Sequence, residues 1–69
     1  MSDQPELLPH QQRVVDELNE LSTKVGKLNA FIETKLFDSL DESEKDRLRR
    51  QFAIMMDYQQ VLAERIGAW

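Results

Sequence analysis

Residues 14–32 read VVDELNELSTKVGKLNAFI. Val14, Leu18, Leu21, Val25, Leu28 and Ile32 recur in it at intervals of 4, 3, 4, 3 and 4. Such spacing keeps one apolar stripe on one side of an α-helix, in two interleaved rows of a heptad seam. The same intervals return further on, at Leu48, Phe52, Met55, Gln59, Leu62 and Ile66. The stretch KLFDSLDESEK, residues 35–45, interrupts the pattern between the two seams. Two helices joined by so short a connection pack antiparallel. One register then serves the whole seam: Val14 faces Ile66, Leu18 faces Leu62, Leu21 faces Gln59, Val25 faces Met55, Leu28 faces Phe52 and Ile32 faces Leu48.

The expected architecture is therefore all-α, an antiparallel two-helix hairpin of the coiled-coil type. Helix one is expected over about 9–36, a turn over 37–41 and helix two over 42–67, in one domain (9–69) after an N-terminal tail (1–8). Pro9 suits a first helical turn, where its missing N–H goes unneeded. Asp41 with Glu44 three residues later resembles a capping box, with Asp in place of Ser or Thr. Asp41, Glu42 and Glu44 suit the positive end of a helix dipole. Gly67 stands where a helix stop belongs. Phe37 and Leu40 are placed to close the turn end.

At 69 residues the chain is short, and a domain of this size buries only about 60% of the surface its unfolded form exposes. It has no cysteine to form a disulfide and a single histidine, His10, which argues against a structural zinc site. Small scaffolds without such staples rely on helix packing or self-association. The net charge is −4 and the pI about 4.8, the wrong sign for general binding to duplex nucleic acid. No run is long enough to span a bilayer and no signal peptide is visible, so the expected compartment is the cytoplasm.

Helix two carries more apolar surface than one seam needs. Ile54, Tyr58, Val61 and Arg65 form a second stripe at intervals of 4, 3 and 4. In a lone hairpin Ile54 and Val61 stay exposed, which marks an interaction surface. The expected partner is a second copy, in a homo-oligomer built on Ile54, Tyr58 and Val61. Phe31 and Val15 add apolar area on helix one. Gly26, mid-helix, costs about 1 kcal/mol against Ala and is consistent with close approach by a partner helix or ligand.

The seam's flank has two readings. Glu17 falls opposite Arg65, Lys24 opposite Tyr58 and Phe31 opposite Gln51. Structurally, Glu17–Arg65 is an interhelical ion pair, Tyr58 a packing residue with a wet hydroxyl, and Gln59 a polar seam residue that sets register. Functionally, Arg13, Lys24 and Arg65 supply cations, Tyr58 a stacking face, and Gln51 and Asn29 amide hydrogen bonds. Cations hold phosphate oxygens and aromatic faces stack on bases. Two such edges brought together by an oligomer can form a concave anion site. A second basic cluster, Arg47, Arg49 and Arg50, reads as a solvated face balanced by Glu42, Glu44 and Asp46.

No enzymatic constellation is visible. There is no glycine-rich phosphate loop and no cysteine nucleophile, and His10 stands apart from any serine and carboxylate arrangement. Glu17 and Glu20 are helical neighbours, but no histidine shares their face to complete a di-metal motif. The chain reads as a binding protein without cofactor or metal.

The segments RVVDELNELSTKVGKLNAFI, Phe37 with Leu40, and LRRQFAIMMDYQQVLAERI resemble a group of very small helical-hairpin proteins encoded by crAss-like and other phages. That group is similar to the anti-CBASS and anti-Thoeris hairpin sponges. The resemblance implies a homo-oligomer, often a hexamer, working in the host bacterial cytoplasm. It implies sequestration, without cleavage, of a cyclic oligonucleotide or related nucleotide immune signal. The site residues expected on the seam flank are Arg13, Lys24, Gln51, Tyr58 and Arg65. The rival reading is a helical adaptor or inhibitor that docks through Ile54, Val61 and Trp69, or a purely structural oligomer.

Overall fold

The computed structural model describes residues 7–69; most of the expected N-terminal tail lies outside the described residues. The chain is all-helical, in the order α1 (Pro9–Ile32), α2 (Lys35–Asp38) and α3 (Glu42–Gly67). Pro9 opens α1 as expected, and the Gln11 side-chain oxygen accepts from the Leu8 N–H at 2.9 Å. This satisfies one donor that the helix start would otherwise leave open.

α1 ends at Ile32, four residues short of the sequence expectation. Thr34 is the reason. Its hydroxyl donates to the Phe31 carbonyl (2.6 Å) and accepts from the Phe37 N–H (3.2 Å). One side chain thus closes α1 and caps α2, the competition with helical hydrogen bonding that threonine is suited to. Ser39 then donates to the Leu36 carbonyl at 2.6 Å as α2 ends. Asp41 caps α3 by accepting from the Glu44 N–H at 3.3 Å. The reciprocal half of a capping box is missing, because the Glu44 carboxylate is engaged by Arg47 at 2.9 Å. At the far end Gly67 is still helical and Ala68 caps the helix in the right-handed region. No described residue has positive φ, so Gly67 is not the left-handed stop that the sequence led us to expect.

α1 and α3 pack against one another. Val14, Leu21, Val25 and Leu62 form the buried cluster, with Leu18, Phe52, Met55 and Ile66 packed on it. All eight come from the two heptad seams. Leu62 is fully buried. Laid end to end, the two long helices would span about 75 Å at 1.5 Å per residue; the molecule measures 54 × 20 × 15 Å, so the helices lie alongside each other. Phe37, 1% exposed, anchors the connection. The Phe31 ring meets it edge-on at 6.0 Å and the Arg49 guanidinium stacks on it at 5.2 Å. Such contacts add to plain area burial. Arg49 keeps its exposure while its guanidinium covers the Phe37 ring.

Gln59 occupies the seam half-buried, and its carbonyl oxygen is buried without a hydrogen-bond partner. A buried, unpaired acceptor costs stability. Gly26 is exposed, and an added Cβ would meet nothing within 4 Å. The fold of a single chain therefore does not require glycine there.

Candidate functional site

The expected site residues divide between the two long helices. Arg13 and Lys24 lie exposed on α1. Gln51, Tyr58 and Arg65 lie exposed on α3. Arg13 and Lys24 are three helical turns apart, about 16 Å along the axis, so a single phosphate cannot bridge them on one chain. Gln51 is turned along its own helix, its amide donating to the Met55 sulfur at 3.7 Å. No enclosed pocket forms among the described residues.

Tyr58 and Glu17 are brought together. The Tyr58 hydroxyl donates to Glu17 Oε2, and among the described residues this is the side-chain hydrogen bond that joins α1 to α3. The seam arithmetic had set Lys24 opposite Tyr58 and Glu17 opposite Arg65. The structure instead pairs Tyr58 with a residue two turns earlier on α1. The Glu17 carboxylate, accepting that bond and placing negative charge nearby, raises the Tyr58 pKa above its ordinary value of 10; Arg65 acts weakly in the opposite sense. Arg65 therefore stands within electrostatic reach of the phenol.

The cations of the molecule are not all treated alike. Early in α3, Lys45 pairs with Glu42 (3.2 Å), Arg47 with Glu44 (2.9 Å) and Arg50 with Asp46 (3.4 Å). These pairs lie within one helix, each with at least one exposed partner, and contribute little individually. Among the described residues Arg13, Lys24 and Arg65 make no ion pair, and neither do Lys27, Lys35 and Arg49. An edge with a phenol held by one carboxylate, and with uncompensated cations on either side, can accept an anion. Among the described residues no cluster of metal-ligating groups forms.

The apolar stripe is also open. Ile54 is 66% exposed, Val61 49% and Tyr58 43%, with Trp69 at the chain end at 46%. Seam spacing sets Glu17 opposite Arg65 and so misses its bond to Tyr58. No sequence signal points to that bond: a helical side chain leans toward the N-terminus of its own helix, which in the expected antiparallel register carries Tyr58 away from Glu17. No helix among the described residues is long and apolar enough to cross a membrane.

Comparison with known proteins identifies a relative in Enterobacteria phage T4, an uncharacterised 7.5 kDa protein from the denB–rIIB intergenic region. It is 33% identical over 61 residues, covering 88% of this chain and 95% of the relative. A phage affiliation for the fold is thereby supported. No solved structure shows a significant match. The Sequestin family model matches residues 8–68, all three helices with their caps, and on that match the chain is a member of the Sequestin family.

Proposed function

We propose that this protein is a non-catalytic phage sponge that binds and sequesters a cyclic oligonucleotide or a related nucleotide immune signal. In this reading α1 and α3 form an antiparallel hairpin. Hairpins assemble through Ile54, Tyr58 and Val61 into a homo-oligomer, a hexamer being the stoichiometry implied by the resemblance to phage sponges. Assembly places Arg13, Lys24, Gln51, Tyr58 and Arg65 of neighbouring copies around the ligand, in the host cytoplasm. The observation that carries the reading is the edge around Tyr58, where Arg13, Lys24 and Arg65 lack the carboxylate partners that Lys45, Arg47 and Arg50 possess. The family's name, Sequestin, agrees with capture in place of turnover.

The same geometry supports self-association. Among the described residues there is no pocket, and Arg13 and Lys24 stand too far apart on α1 to share one phosphate. A second copy supplies the other wall of a concave site. Oligomerisation also covers Ile54 and Val61, whose exposure a small core tolerates poorly.

Calorimetry of the purified protein against cyclic di- and trinucleotides and ADP-ribose derivatives tests the reading. Binding is expected, with the ligand recovered intact after protein denaturation; recovery of a cleaved product would overturn the sponge. Lys24→Ala and Arg65→Ala are expected to weaken binding while light scattering shows the assembly unchanged. Loss of assembly in these variants would make them structural residues. A monomer at micromolar concentration would overturn the oligomeric site. The exposed Ile54, Val61 and Trp69 also favour a second reading, a helical adaptor for another protein. Failure to bind any nucleotide by a protein whose stripe is open in solution is the result that separates the two.

A further inference from the structure

We propose that Glu17 is a built-in competitor for the anion-binding edge: in the free protein its carboxylate holds the Tyr58 hydroxyl, and it surrenders that hydroxyl to a phosphate oxygen of the ligand. The inference rests on the sequestration reading above and adds to it a residue with a role opposite to that of the cations.

Three observations lead to it. The Tyr58–Glu17 bond is the side-chain hydrogen bond between the long helices among the described residues, so it is not one strand of a redundant network. Both partners are exposed, so an incoming solute reaches the bond without prior unfolding. Arg65 is close enough to act on the Tyr58 phenol, yet it forms no ion pair with Glu17. The carboxylate thus occupies one donor of a cationic edge and leaves the nearest guanidinium uncommitted.

The chemistry of the exchange is balanced. A carboxylate and a phosphodiester are both monoanions with oxygen acceptors. Replacing one by the other keeps the number of hydrogen bonds to the phenol, while the tethered Glu17 stays nearby, so the edge gains the ligand's negative charge and relies on its cations to offset it. A phosphate oxygen gains what the carboxylate lacks, because the uncommitted Arg65 can hold it from a second side. Once displaced, Glu17 turns to water, which costs little at an exposed site. The charged groups along this edge are Arg13, Glu17, Glu20 and Lys24 on α1 and Arg65 on α3. Of the two carboxylates, Glu17 is the one hydrogen-bonded to the phenol. The expected consequence is selectivity: ligands that do not offer an anionic oxygen to Tyr58 leave the bond in place.

Tyr58 is the chain's single tyrosine, so its ionisation can be followed by ultraviolet difference absorbance without interference from another phenol. The full-length protein and its Glu17→Gln and Glu17→Ala variants are titrated alone and with 3′,3′-cyclic di-AMP, 3′,3′-cyclic GMP–AMP, ADP-ribose or inorganic pyrophosphate. Without probe, both variants are expected to bring the Tyr58 titration back toward ordinary tyrosine. An unchanged titration would mean that the bond does not form in solution and would overturn the proposal. With a probe that the wild type binds, Glu17→Gln is expected to bind about two- to fivefold tighter, and Tyr58→Phe more weakly than wild type. Equal or weaker binding by both Glu17 variants, with wild-type binding intact and helical circular dichroism unchanged, would overturn the competitor role and leave sequestration standing. No binding of any probe by any form would overturn both.

Discussion

The first half of α3 and the edge where its second half meets α1 treat charge in opposite ways. Between Glu42 and Arg50 each of three cations finds a carboxylate one turn away on the same helix, and Arg49 stacks on Phe37. Beyond Tyr58 the pattern stops. Arg65 remains unpaired among the described residues, Gln60 donates to Glu64 within the helix, and Tyr58 crosses to another helix. Where cations are taken up by local carboxylates or by the Phe37 ring, folding and solubility explain the surface. Where cations are left open beside a phenol, the sequence has kept groups that the lone chain does not use.

The contrast can be broken most forcefully from the turn end. Phe37→Ala removes the ring on which Phe31 and Arg49 converge and is expected to cost about 3–5 kcal/mol. That equals the stability that cores of this size supply, so the variant should lose its cooperative thermal transition by circular dichroism. A transition little shifted from wild type would show that the connection does not anchor the fold. The seam provides a smaller effect of opposite sign. Gln59→Leu removes the buried oxygen that has no partner and is expected to raise stability by about 1–3 kcal/mol, read as a higher urea midpoint. If the midpoint falls, Gln59 has a partner that the single chain does not reveal.

The smallest effect belongs to the edge itself. The Tyr58 pKa is raised in the folded chain, principally by its bond to Glu17. The contribution is therefore fully present below the ordinary tyrosine pKa of about 10 and is lost as pH rises through the higher folded value. Wild-type melting temperature should fall more steeply above pH 10 than that of Glu17→Gln, while the two run parallel from pH 7 to 9. Parallel curves throughout would dissolve the distinction between the edge and the rest of the surface.

The helical seams were legible in the sequence because heptad spacing is a local, repeated signal. Val14, Leu21, Val25 and Leu62 are buried where that signal put them. The connection was not legible in detail. A four-residue helix is too short to show a period, and its cue, Thr34 three residues before Phe37, is a single hydroxyl. Gly67 misled because glycine after a helical pattern usually marks its end, whereas here the helix includes it. On the edge, the residue types were visible but their pairing was not. Seam arithmetic places backbones opposite one another; a tyrosine side chain spans more than a helical turn and can choose among several partners.

The reversal between the long helices is made without any left-handed residue. Many tight reversals hinge on a glycine that few substitutions can replace. Here the specification resides in three oxygens, those of Thr34, Ser39 and Asp41, and in the ring of Phe37. Serine, threonine, aspartate and asparagine interchange readily in such roles. Mutational drift can therefore run freely through the connection while the hairpin's ends stay capped, which suits a lineage whose members have diverged to one-third identity over nearly their full length.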